Sequence, residues 1–264
     1  MLCKEIIELL EREVPLSAAE SWDNPGFLVG DKNQEVKKIL VVLDITNEVV
    51  EIAIREKVDF ILAHHPVIFS KIQKCTSDDF VQRKLLKLIQ NGISCYGMHT
   101  NYDVCRMCDA AANRLSLSIK ESVEEAKDSE FQAVKKGIGF ISILEEVVSL
   151  ETYAKVVQDA FGLEAVMIYG NPKQEIQKIA MVPGSGRSMI KNAAMKGADV
   201  LITGDFGHHE GLDAVDMGLC VIDAGHYGLE QVFIHDMEEF LKERLEDCEI
   251  ISYEAGSPFH VITK

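Results

Sequence analysis

The sequence predicts an α/β fold of two similar lobes with mostly parallel sheets, produced by an internal duplication, with a metal site in the cleft between them. Three observations carry this expectation. First, KKILVVLD (37–44), ITNEVVEIAIREK (45–57) and DFILA (59–63) read as buried strand, helix and strand, the unit from which parallel sheets are built. Second, the pattern returns about 140 residues later, with QKIAMVPG (177–184) standing for KKILVVLD and ADVLITG (198–204) for VDFILAH (58–64). Lys38, Ile39, Val42, Ala53 and Asp59 match Lys178, Ile179, Val182, Ala193 and Asp199, and NGISCYGMHTN against MGLCVIDAGHY extends the match by one strand. Third, His64 and His65, then Asp103, then His226 with Glu230 stand where apolar runs end, the end of a strand at which open α/β sheets bind ligands.

The remaining elements follow in chain order. Leu2, Ile6, Leu9 and Leu10 have helical spacing, so residues 2–13 predict an opening helix. Asn24-Pro25-Gly26 marks a turn, and Thr46 or Asn47 offers a cap for the helix after the first buried strand. SIKESVEEAKDSE is polar and acidic, and is expected to be a surface helix or a connection between lobes. GIGFISIL and EAVMIYGN predict strands on either side of SLETYAKVVQDAFG, a capped amphipathic helix ended by Gly162. VFIHDMEEFLKERLED predicts a long helix and FHVITK an edge strand. The expected division is residues 1–125, with 240–264 packing back on them, and 126–239.

Length and composition bound the function. At 264 residues with 47% hydrophobic content the chain can bury two cores. No run is long and apolar enough to span a bilayer, and MLCKEIIELLEREV lacks the apolar centre and cleavage site of a signal peptide, so a cytoplasmic protein without a membrane partner is expected. Seven scattered cysteines without paired spacing fit a reducing compartment and no structural disulfides. A formal charge of −16 repels polyanions, which argues against a nucleic-acid partner and against a ring that encircles DNA.

Each candidate ligand has a plainer alternative. An isolated His64-His65-Pro66 also fits two histidines bonded to backbone groups, Asp103 fits a helix cap before DAAANRL, and His226 with Glu230, four apart, fits a surface pair. Together the residues make a set of N and O donors that suits two borderline or hard divalent ions, Zn, Fe, Mn or Co, better than Ca or Cu(I). Two such ions and two carboxylates leave a local charge of about +2, enough to draw in a small anionic or nucleotide-like substrate. His99 is expected to be a ligand or, preferably, to orient one, and is a candidate for moving a proton; His208 and His209 in GDFGHHE are substrate or proton-transfer candidates, with surface histidines as the plainer and favoured alternative. Cys105-x-x-Cys108 reads as a redox or zinc pair only with a context that the chain lacks, so local packing is favoured. Trp22, Asp23 and Asn24 fit a rim loop or a packed turn, and Gly184-Ser185-Gly186 resembles a phosphate cradle only in its glycines.

AESWDNPGFLVG (19–30), LDIT (43–46), ILAHHP (61–66), MHTNYD (98–103), LITGD (201–205) and DAGHYGLE (223–230) together resemble the NGG-one-interacting-factor-three family, also known as GTP cyclohydrolase I type 2 homologues, over nearly the whole chain. The resemblance implies a dinuclear metal site on His64, His65, Asp103, His226 and Glu230, and a toroidal homohexamer. It also implies a supporting role for Asp205. Cys105-Arg106-Met107-Cys108 departs from the small residues usual after that Asp. The leading expectation is a dinuclear metal-dependent hydrolase of small nucleotides, with GTP the first substrate to try. The alternative is a non-catalytic metal-binding or regulatory ring.

Overall fold

The computed structural model describes residues 1–134 and 136–262. Its strands are β1 (Gly26–Val29), β2 (Lys38–Val42), β3 (Phe60–Ala63), β4 (Ser94–Gly97), β5 (Glu121–Glu125), β6 (Gly137–Ser149), β7 (Met167–Tyr169), β8 (Glu175–Ser185), β9 (Val200–Gly204), β10 (Cys220–Asp223) and β11 (Glu249–Ser252). The chain divides into two compact units, Met1–Tyr102 with Phe233–Ala255, and Asp103–Val232 with Gly256–Lys264.

The sheet of the first unit has the order β1-β4-β3-β2-β11, with β11, β2, β3 and β4 parallel and β1 antiparallel at the edge. β2 and β3 are almost wholly buried runs of Ile, Leu, Val, Phe and Ala, as strands covered on both faces must be. Helix Asn47–Arg55 between them starts where expected, with the Thr46 hydroxyl accepting from the Val49 N–H at 3.1 Å. Its Val49, Val50, Ile52 and Ala53 share a core with Leu40, Val42 and Ile61.

The second unit has the order β5-β6-β8-β9-β10-β7, in which β8, β9 and β10 are parallel and β5, β6 and β7 join antiparallel. Ala180, Val182, Leu201 and Val221 pack with Ile190, Ala193 and Ala214 from the crossover helices. Helix Leu150–Phe161 is capped by Ser149 and ended by Gly162 in the left-handed region at φ 65°, the conformation for which glycine is suited.

The repeated stretch folds alike in both units. Leu40 pairs with Ile61 and Ala180 with Leu201, and Phe60 pairs with Ser94 as Val200 does with Cys220. The same backbone bonds recur around them. Asp59 N–H donates to the Lys38 carbonyl and Asp199 N–H to that of Lys178. The carboxylates of Asp59 and Asp199 each accept two N–H groups, from Lys37 and Lys38 and from Gln177 and Lys178.

Two expectations are corrected. The acidic stretch forms β5 over Glu121–Glu125 and then a short helix, Ser129–Ala133, because Ser122 and Val123 bury their side chains while the glutamates stay on an exposed edge. FHVITK forms no strand over residues 259–262, where Phe259 and Ile262 are exposed, and its last two residues lie outside those described. The tail helix is present as Val232–Arg244. No helix among the described residues is long and apolar enough to cross a membrane.

Candidate functional site

In the first unit, β3 ends at Ala63 and delivers His64 and His65, while β4 ends at Gly97 and delivers His99. The backbone continues the sheet pattern just past these ends, since His64 N–H donates to the Val42 carbonyl and His65 N–H to that of Leu43. Ladder bonds therefore fix the Cα positions of both histidines. The three residues form a cluster whose ligand-type atoms all lie within 4.8 Å of one another. Their rings stand close, His64 to His65 at 4.9 Å, His64 to His99 at 5.4 Å and His65 to His99 at 5.6 Å.

Each ring is held by its Nδ1. His64, fully buried, donates to the Met98 carbonyl at 2.7 Å; His65 faces Asp44 Oδ1 at 2.8 Å; His99 faces Asp23 Oδ1 at 2.7 Å. A carbonyl and an ionised carboxylate only accept, so Nδ1 carries a proton in all three, and Nε2 is the nitrogen that can offer a lone pair. This is the arrangement by which a second group fixes the tautomer of a metal-binding histidine. Asp23 is itself bound from behind by Thr100, whose N–H and hydroxyl donate to Oδ2 at 3.0 and 2.5 Å. Burial pushes the Asp23 carboxyl up, but the hydrogen bonds from His99 and Thr100 and the nearby imidazole outweigh it and bring it down to about 2.

In the second unit, His226 and Glu230 are the first and last residues of helix His226–Glu230, which follows β10. His226 repeats the pattern, its Nδ1 facing Asp205 Oδ2 at 2.8 Å, while its Nε2 stands 2.9 Å from Glu230 Oε2. Glu230 is 4% exposed. With both nitrogens beside carboxyl groups, the 2.9 Å contact to Glu230 is held by a shared proton or by a shared cation. An imidazole nitrogen and a carboxylate oxygen side by side are donors of the kind that would hold a borderline divalent ion.

The surrounding backbone makes room for this pair. Gly184, at φ 74°, is the last residue but one of β8, where a Cβ would overlap Glu230 Oε1, and a Cβ at Gly204 would overlap the His226 backbone N. Gly184 therefore gives clearance to the Glu230 carboxylate. Asp205 holds a positive φ of 55°, uncommon outside glycine and tolerated best by Asn and Asp. Asp223 braces the two loops, accepting from Phe206 N–H at 3.1 Å and from Gly225 N–H at 2.9 Å.

Other expected residues fall as follows. Asp103 opens a five-residue wide turn, Asp103–Met107, of the kind that recurs at functional sites. His208 and His209 are exposed at the start of helix His208–Asp216, with rings 5.2 Å apart, and among the described residues neither joins a cluster of metal donors. Burial, with Asp103 and Asp109 nearby, pushes the Cys108 thiol up to about 12, which makes it a poor nucleophile and supports packing as the role of the Cys105-x-x-Cys108 pair. All seven cysteines are free. Asp44 is the residue that reading the sequence left without a role. Its signal was the one used for the ligands, a carboxylate directly after an apolar run, LVVLD.

Imidazoles and carboxylates gathered at the ends of parallel strands define this as an α/β protein with donor clusters suited to divalent metal. The Duf34/NIF3 (NGG1p interacting factor 3) family profile matches residues 1–258, and the chain belongs to that family. A Clostridium perfringens protein named GTP cyclohydrolase 1 type 2 homolog is 34% identical over 266 residues, spanning 99% of this chain and all of that protein. Among solved structures, the Bacillus cereus protein related to NIF3 superposes with a TM-score of 0.90 over 99% of both chains at 23% identity, a likeness of fold. Reduced HcgD from Methanocaldococcus jannaschii gives a TM-score of 0.81 at 32% identity, over 96% of this chain and 97% of that one.

Proposed function

We propose that the chain is a dinuclear divalent-metal-dependent hydrolase of a small anionic, nucleotide-like substrate, with GTP cyclohydrolase-type chemistry as its specific form. The observation that carries this reading is the common treatment of three imidazoles: His64, His65 and His226 each commit Nδ1 to an oxygen, which makes Nε2 the ligating nitrogen. His64, His65, Asp103, His226 and Glu230 are the donors to two ions in this reading, and Zn, Fe, Mn or Co suits them. When bound, such ions supply Lewis-acid activation of a substrate oxygen and of the attacking water.

The chain's own groups orient and move protons. Asp44 and Asp205 hold the imidazoles of His65 and His226 in one orientation. His99, backed by Asp23, is placed to accept a proton on Nε2 while the carboxylate steadies the resulting cation. His208 and His209, being exposed, are assigned the exchange of that proton with solvent. The names borne by the relatives, GTP cyclohydrolase 1 type 2 homolog, support a purine nucleotide as the first substrate to test. The same reading carries an internal duplication, a toroidal homohexamer and a cytoplasmic protein without membrane or nucleic-acid partners.

Purified protein with quantified metal is expected to hydrolyse GTP or another nucleotide, and His65→Ala to abolish turnover. Metal-full protein inert to a broad nucleotide and phosphoester panel contradicts the hydrolase and selects a non-catalytic metal-binding ring.

A further inference from the structure

Trp22 and Phe69 are 59% and 54% exposed, an unusual fate for two large aromatic side chains beside a polar cluster. Their ring centroids are 6.1 Å apart with planes tilted by 56°, and each stands 6.1 Å from the His99 ring at a near-perpendicular angle, 78° for Trp22 and 77° for Phe69. The three rings thus mark an equilateral corner, one vertex of which belongs to the histidine cluster. The chain fixes this corner from both sides. Asp23, next to Trp22, grips His99 and Thr100, and the Asn24 side-chain amide donates to the Ile68 carbonyl, next to Phe69, at 2.6 Å. Two loops 44 residues apart are therefore tied together at the base of the aromatic pair.

We propose that Trp22 and Phe69 form a stacking platform for the planar heterocyclic ring of the substrate, seated beside His99. This rests on the nucleotide-hydrolase reading and names the part of the substrate that the donor clusters do not explain. Metal ions and imidazoles recognise the anionic or reacting end, whereas a flat base offers a π-face on which aromatic side chains stack. The 56° tilt lets a ligand ring lie flat on one side chain and meet the edge of the other, both favourable aromatic arrangements.

Trp22 is the one tryptophan in the sequence, so its emission reports on the platform alone. The test titrates GMP, and ribose 5-phosphate as the same anion without the base, into chelator-treated and metal-loaded protein. GMP is expected to quench Trp22 saturably in both forms, ribose 5-phosphate to leave it unchanged, and Phe69→Ala to weaken GMP binding about tenfold at unaltered metal content. Quenching by GMP in a protein that hydrolyses nothing upholds the platform and removes the hydrolase. Unchanged emission with GMP in a metal-loaded, correctly folded protein overturns the platform and leaves the metal reading standing. Dissociation of an assembly by Phe69→Ala with GMP affinity intact also overturns it, and assigns the aromatic pair to contact with a second copy.

Discussion

The two units share a strand–helix–strand scheme down to individual hydrogen bonds, yet they supply donors in opposite ways. In the first, imidazoles themselves follow the strand ends, His64 and His65 after β3 and His99 after β4. At the corresponding positions of the second stand Gly204, Asp205 and Gly225. Asp44, which holds His65, corresponds to Gly184. Glycine at 184 and 204 leaves the space that Glu230 and the His226 backbone occupy, and Asp205 changes from a ligand position into a holder of His226. A common backbone thus fixes where side chains emerge, while local substitution decides whether an emerging position ligates, braces or clears the way.

Breaking the clearance in the second unit should have the largest effect. Gly204→Ala places a methyl group against the backbone of Gly225 and His226, which cannot move aside as a flexible side chain can, and is expected to cost about 3 kcal/mol in urea unfolding. Gly197→Ala, at φ 69° with open space around it, is expected to cost only about 1 kcal/mol, from backbone strain alone. Equal costs would show that clearance is not what glycine does at position 204.

The holders come next. Asp44→Ala in the first unit and Asp205→Ala in the second are each expected to weaken metal binding about 10- to 100-fold, measured by competition with a chelating dye. A loss in one unit only would mean that the two share geometry without sharing a role.

A smaller effect concerns Asp23, whose carboxyl lies at about 2, below its ordinary range. A lowered folded value means that its stabilisation is full above the unfolded pKa and is lost as pH falls through the folded one. Wild type is expected to exceed Asp23→Asn by about 1–2 kcal/mol at pH 6, with the gap closing between about pH 4 and pH 2. A gap independent of pH would assign Asp23 a packing role instead. The smallest effect is expected of Thr46→Ala, about 1 kcal/mol from the lost helix cap, with metal content unchanged.

Much of this was legible in the chain because it follows from local rules. Apolar runs set β2, β3, β8 and β9, Thr46 and Gly162 punctuate their helices, and the polar residues that end each run marked the donors. What was not legible depends on partners far apart in sequence. The separations of 21 positions from Asp44 to His65, and of 76 from Asp23 to His99, hide each pair from any spacing rule. The role of Gly184 depends on Glu230, 46 positions later, so its neighbouring glycine suggested a phosphate loop. β5 was hidden for a different reason: three glutamates in five residues mask it, and of its two buried residues, Ser122 and Val123, only Val123 is apolar.

The central claim is that the proposed donors of each unit hold divalent metal. Metal titration of wild type, His65→Ala, Glu230→Gln and the double variant tests it most directly. The expected result is two ions per wild-type chain, with each single variant binding metal more weakly and the double variant most weakly. Wild-type stoichiometry and affinity in both single variants would contradict it.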